Sequence, residues 1–216
     1  MSEQEGVIKY RLDHHYCSLP AEIDIHEINA WRTILFRLQL IGRLPEKYDG
    51  LGFGNLSYRL TPKQNRFLIS GTQTGHLANL QSTDFTVVDT ASPVENTLCS
   101  HGPCQPSSEA LTHASVYQHN ADAMAVIHVH CPELWRDTHT LSIPHIGSHI
   151  AYGSVEMALA VERLLKSGQL ETLPLFSMLG HEDGIVVYGD SLASAAQTLL
   201  KTLARAIAVE HGVNCH

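Results

Sequence analysis

The sequence has no run of roughly 18 apolar residues, so it offers no segment expected to cross a bilayer as a helix. Its opening stretch, MSEQEGVIKY, does not pair a basic region with an apolar one as an export signal would. Basic charge is scarce and unclustered: 14 Lys+Arg stand against 22 Asp+Glu, a formal net charge of -8. Nucleic acids and anionic membranes are bound largely by neutralising phosphates, so neither is an expected partner. Cysteine is confined to Cys17, Cys99, Cys104, Cys131 and Cys215, an odd number with no CxxC pair. That pattern argues against a disulfide framework and for a reducing compartment. Repeats, low-complexity tracts and Pro/Ser-rich linkers are also missing. The reading is one soluble, cytoplasmic domain, with residues 1–24 as an N-terminal extension and 25–211 as the folded unit.

Histidine, by contrast, is abundant, at 15 of 216 residues. Hydrophobic residues make up 44%, enough for one core that buries about two-thirds of the unfolded surface. A helix is expected from Ile25 to Leu44, with Asp24 as N-cap, Glu27 three residues on, and Ile28, Trp31, Leu35 and Leu38 on one face. Strands are expected at Asn55 to Leu60, Arg66 to Ser70, Phe85 to Asp89, Met124 to His130, Leu175 to Met178 and Ile185 to Tyr188. Further helices should start at Ser107 or Ser108 and run to Asn120, and span Ser154 to Ser167 and Ser191 to His211. Interleaved helices and apolar strands predict a layered α/β domain with a mixed or antiparallel sheet.

Three histidines stand out by position. His128 and His130 flank one residue of an expected strand, so both imidazoles face the same side and can reach one ion. Two histidines on a polar sheet face would give the same spacing. His181, in Leu-Gly-His-Glu-Asp-Gly, is the candidate third ligand, or simply a turn residue; three histidines with an open position describe a catalytic metal site. Glu109 follows Pro106-Ser107-Ser108 at an expected helix start. It serves either as a helix-favouring acidic residue beside a serine cap or as a base beside an anion site at the helix N-terminus. The loop Ser70-Gly-Thr-Gln-Thr-Gly75 can offer backbone amides to an anion. His113 and the remaining histidines read as solvent, cap or core residues.

Taken together, Gly54-Asn55-Leu56-Ser57, Leu68-Ile69-Ser70-Gly71, Pro106-Ser107-Ser108-Glu109, Ala125-Val126-Ile127-His128-Val129-His130, and His181 followed by Gly184 resemble the class II aldolase/adducin family. The resemblance implies a single-domain three-layer α/β/α fold around a mostly antiparallel sheet, assembled as a homotetramer. It implies Zn2+, or another divalent first-row ion, on His128, His130 and His181, and an acid/base carboxylate at Glu109. The anion pocket falls on Asn55, Ser70, Gly71, Ser107 and Ser108. The implied activity is that of a metal-dependent lyase acting through a stabilised enediolate on a small phosphorylated sugar or sugar acid. A dehydratase or epimerase, or a non-catalytic adducin-like interaction module, are the alternatives. The sequence departs from the family twice. Residues 131–142 form a short segment without the tyrosine that protonates the leaving aldehyde in fuculose-phosphate aldolases, for which Tyr152 is the substitute offered here. His181 is followed by Glu182-Asp183, either of which could orient it or lie in a solvated turn.

Overall fold

Strands and helices are mixed along residues 7–212, the part of the chain that the computed structural model describes, with six strands in succession between the first two α-helices. Cys215, His216 and the first six residues of the expected extension lie outside the described residues. The elements are β1 (Arg11–Tyr16), α1 (His26–Arg37), β2 (Gly42–Arg43), β3 (Gly52–Phe53), β4 (Asn55–Arg59), β5 (Phe67–Ser70), β6 (Phe85–Ser92), β7 (Thr97–Gly102) and α2 (Ala110–His119). They continue with β8 (Ala125–His130), α3 (Pro132–Arg136), β9 (His145–Ile146), α4 (Val155–Lys166), β10 (Leu175–Met178), β11 (Gly184–Gly189) and α5 (Leu192–Glu210).

Nine strands form one sheet in the order β1-β7-β6-β5-β4-β8-β11-β10-β9. Only the outermost pairs, β1 with β7 and β9 with β10, run parallel; the pairs between them are antiparallel. Alternation along the strands divides the core. Phe67, Ile69, Val126, Phe176 and Val186 pack against α2 and α4 on one face, while Leu56, Leu68, Ile127, Val129, Ile185 and Val187 pack against α1, α3 and α5 on the other. The result is a three-layer α/β/α domain around a mostly antiparallel sheet. Central strand β8 is buried along its whole length, histidines included, because helices cover both its faces.

Three local expectations are corrected. The first helix stops at Arg37 rather than Leu44 because Gln39 turns left-handed (φ 59°) and Leu40 N–H bonds back to the carbonyl of Leu35. Leu40 and Ile41 still enter the core, but from an extended segment, which is why their apolar spacing imitates more helix. The N-cap of α1 is Ile25 rather than Asp24, and no side chain caps it; Asp24 Oδ1 instead accepts from the His26 amide at 2.8 Å. Helix α2 begins at Ala110 with Glu109 in the N-cap position, while Ser107 Oγ accepts from the Glu109 amide at 3.4 Å. Residues 11–16 meanwhile form the sheet's edge strand, so a boundary at residue 25 separates β1 from the sheet that it completes.

Candidate metal centre and active site

The antiparallel register of β8 places His128 opposite Asn55 on one side and Val186 on the other, with His130 opposite Gly184. Directly opposed residues share a face, so both imidazoles and Asn55 lie on the side covered by α2. His181 joins them from the turn between β10 and β11, where its amide bonds to Met178 O and its carbonyl accepts from Gly184 N. A Cβ on residue 184 would sit 3.1 Å from Cγ of His181, so glycine leaves room for that ring. Ring centroids are 5.2 Å apart for His128 and His130, 5.1 Å for His128 and His181, and 4.8 Å for His130 and His181. One nitrogen from each ring falls within 4.8 Å of the other two.

The donor set suits a divalent ion. His128 Nδ1 lies 3.1 Å from the Ile185 carbonyl, and because a carbonyl only accepts, Nδ1 carries the proton and Nε2 keeps its lone pair. Burial, reinforced by His181, His128 and Lys47, holds the His130 pKa well below the usual histidine range, favouring the neutral, ligating form. All three rings are at most 4% exposed. Neutral imidazoles of this kind accept several first-row ions.

Glu109 is 1% exposed, and its Oε1 lies 3.6 Å from Nδ1 of His181. Thr112, one turn along α2, donates its hydroxyl to Glu109 Oε2 at 2.9 Å, while Oε1 has no hydrogen-bond partner among the described residues. A buried carboxylate with one oxygen fixed and the other facing the histidines is placed to exchange a proton there. Asn55 Oδ1 is likewise buried without a hydrogen-bond partner among the described residues.

The expected anion-binding residues converge by a tighter route than an open loop. Gly71 bridges to Pro106, and the Ser107 amide bonds to Ser70 O at 3.2 Å, so the Ser70 and Ser107 turns are joined. The Gly71 and Thr72 amides donate to the carbonyls of Asp84 and Gln105, so these two loop N–H groups are already used within the chain. Gly71 is required by close approach, since a Cβ there would lie 2.5 Å from Cys104 Sγ. Ser107 and Ser108 are 6% and 5% exposed and stand immediately before Glu109.

Several residues of the site carried little signal in the sequence. Tyr152, offered there only as a substitute acid, stacks on His181 with centroids 4.5 Å apart and planes 21° apart. Lys9 places Nζ 3.6 Å over the Tyr152 ring and donates to its carbonyl at 3.2 Å. Tyr10 Oη donates to Ser107 O at 2.9 Å, and burial together with Glu109 raises its pKa. Tyr48 meets the His130 ring edge-on at 4.4 Å and donates Oη to Asp183 Oδ2 at 2.6 Å. Asp183 thus partners Tyr48, while Glu182 is exposed. His113, buried as one of the core readings, bonds through Nδ1 to Ser57 Oγ at 2.7 Å. Thr112 alone had a clear signal, its i+3 spacing from Glu109 at a helix start.

The profile of the family described as Class II Aldolase and Adducin N-terminal domain matches residues 45–211. No curated protein sequence matches the chain. Among solved structures, L-fuculose-1-phosphate aldolase from Thermus thermophilus is 20% identical with a TM-score of 0.62, over 85% of this chain and 91% of that one. A sugar-phosphate aldolase from Thermotoga maritima is 18% identical with a TM-score of 0.63, over 88% and 97% of the two chains. YgbL from Klebsiella pneumoniae is 21% identical with a TM-score of 0.62, over 88% and 89%. These likenesses bear on the fold, and the profile match takes in β8, the turn carrying His181 and the start of α2. By that match the chain belongs to the class II aldolase and adducin family.

Proposed function

We propose that this protein is a zinc-dependent, aldolase-like lyase acting on a small phosphorylated sugar or sugar acid. The observation that carries this reading is the meeting of three buried imidazoles, with nitrogens within 4.8 Å of one another, and a buried carboxylate oxygen 3.6 Å from one of them. A divalent ion on His128, His130 and His181 would supply Lewis-acid polarisation of a substrate carbonyl and its neighbouring hydroxyl. Glu109 would take and return the proton at that end of the substrate through Oε1, with Thr112 fixing the other oxygen. Asn55, Ser70, Ser107 and Ser108 would hold the anionic group with neutral donors, and Gly71 would keep their turn closed against Cys104. Tyr152 is assigned as the proton donor to the leaving aldehyde because its ring lies against His181. A cytoplasmic homotetramer belongs to the same reading.

The segment 131–142 forms α3 and a turn and contains no tyrosine, which favours epimerisation or dehydration at this site as a second reading. The decisive experiment is elemental analysis of the purified protein beside a His128→Ala/His130→Ala variant. About one zinc or other divalent ion per chain is expected, absent from the variant. Phosphorylated ketoses and oxo-acids then test cleavage, epimerisation and dehydration, and Glu109→Ala should lose turnover with its metal retained. No stoichiometric metal after reconstitution would overturn the lyase reading in favour of an adducin-like interaction module.

A further inference from the structure

The three histidines are sealed from solvent, and on one side His130 is covered by Tyr48, edge-on at 4.4 Å, beside Phe53 at 5.2 Å. Tyr48 sits in a tight turn in which Tyr48, Asp49 and Gly50 are all left-handed, with φ of 50°, 57° and 68°. Two of these are not glycine, so the turn persists against a conformational cost and something must hold it. Beside the turn's own backbone bonds from Gly50 N to Lys47 O and from Leu51 N to Tyr48 O, the side chain is held by Oη to Asp183 at 2.6 Å, by the ring edge-on to His130 and by edge-on packing against Phe53 at 4.9 Å. Asp183 is itself left-handed (φ 60°) and anchored through its carbonyl, which accepts from the amide of Cys131 next to His130.

Tyr48 and Asp183 are also walls of a cavity of about 380 Å³ that continues outward to Lys47, Trp135 and Arg136. The hydrogen bond therefore stands between a space large enough for a small sugar-sized molecule and a histidine of the cluster. We propose that Tyr48, latched to Asp183, controls access from this cavity to the His130 side of the cluster. A ligand arriving by this route reaches His130 only when the Oη–carboxylate bond breaks and the ring leaves the imidazole. Tyr48 is a positioning residue in this role and takes no part in bond making.

Acylation by diethyl pyrocarbonate tests this in EDTA-treated protein, with His130 modification followed by peptide mass spectrometry and the exposed His26 as internal reference. Tyr48→Phe keeps the ring and loses a hydrogen bond to a charged acceptor, so His130 should react about tenfold faster than in wild type. Asp183→Asn keeps an acceptor and tolerates the left-handed backbone, and should raise the rate about threefold. Tyr48→Ala should exceed both; if it fails to fold, the two milder variants decide. His130 rates within twofold of wild type in the folded variants would overturn the proposal.

A second measurement rests on the metal reading above: the rate at which zinc-loaded protein gives up its ion to a chromophoric chelator should follow the same order. Equal transfer rates, in a wild type that loads one ion per chain, would also overturn control of access. If wild type loads no zinc, the metal reading fails while the acylation ranking still judges the latch.

Discussion

Replacing Thr112 by valine tests whether Glu109 is held in the site as a hydrogen-bonded carboxylate. Thr112 is 3% exposed and its hydroxyl makes the carboxylate's one described hydrogen bond, at 2.9 Å to Oε2. Valine preserves the shape and removes the donor, leaving a buried charged acceptor unsatisfied. A hydrogen bond to a charged group is worth about 1.5–3 kcal/mol, and the near-complete burial of both partners puts the expected loss at about 2–3 kcal/mol. For a domain of this size, each kcal/mol moves the thermal midpoint by about 2–4 °C, so a fall of about 4–12 °C is expected. Urea denaturation of wild type, Thr112→Val, Glu109→Gln and the double variant closes the cycle. Against a neutral glutamine, the hydroxyl is worth only about 1 kcal/mol, so the coupling should be about 1–2 kcal/mol. Metal content should not change, whereas turnover should fall as Oε1 loses its fixed orientation. A Thr112→Val protein within about 0.5 kcal/mol of wild type, or an equal loss in the Glu109→Gln background, would refute the reasoning.

Two other predictions rest on burial. Burial, with a smaller effect of His128, keeps His113 well below its ordinary pKa, so below about pH 6.5 the unfolded chain binds a proton there that the native chain does not. Stability from this group is therefore complete above pH 6.5 and falls on acidification by about 1.4 kcal/mol per pH unit while native His113 stays neutral. In metal-free protein, His113→Gln should flatten the slope of stability against pH by about that amount; parallel slopes would contradict it. Burial also pushes the Cys131 thiol up to about 12 and that of Cys104 up to about 11, so both carry little thiolate near neutrality. Iodoacetamide at pH 7.5 should label the exposed Cys99 well before the half-buried Cys104 or the buried Cys131, and equal labelling rates by mass spectrometry would count against the raised thiols.

The helices that were legible in the sequence are those whose periodicity comes from facing one core, while the central strands, covered on both faces, were legible as short apolar runs. Helices α4 and α5 fall within a residue of the expected bounds because each presents a single apolar stripe and is capped by a serine, Ser154 or Ser191, that accepts from the third helical amide. Helix α2 is harder to read, since Thr112, His113 and Ser115 are buried with Leu111 and Val116 and leave no polar face. Strands β1 and β7 were missed for the opposite reason. His14, His15, Cys99 and Ser100 alternate little in polarity, and β1, at the sheet edge, has only β7 to bury against. The clustering of the histidines was legible because His128 and His130 need only the two-residue period of a strand. Its enclosure was not, because Tyr48 and Asp183 are 135 residues apart and meet through two left-handed turns that carry no glycine at either position.

The matched family region begins at residue 45, yet two fastenings of the site come from before it. Lys9 covers Tyr152, which stacks on His181, and Tyr10 holds the carbonyl of Ser107 two residues before Glu109. β1 itself pairs in parallel with β7, so the residues entering that edge strand lie beside Asn96 and Thr97 at the start of β7, and the Lys9 and Tyr10 side chains make these long-range contacts. Tyr48, at the start of the matched region, closes the cluster on the His130 side, and Tyr152 lies against it on the His181 side. The proposed chemistry thus draws on β8, the His181 turn and the first turn of α2, while the walls around it depend on side chains lying far away in sequence. Lys9 and Tyr10 are accordingly part of the site's construction, and a chain shortened to the matched region would keep the histidines and the carboxylate but lose the packing that fixes Tyr152 and Ser107.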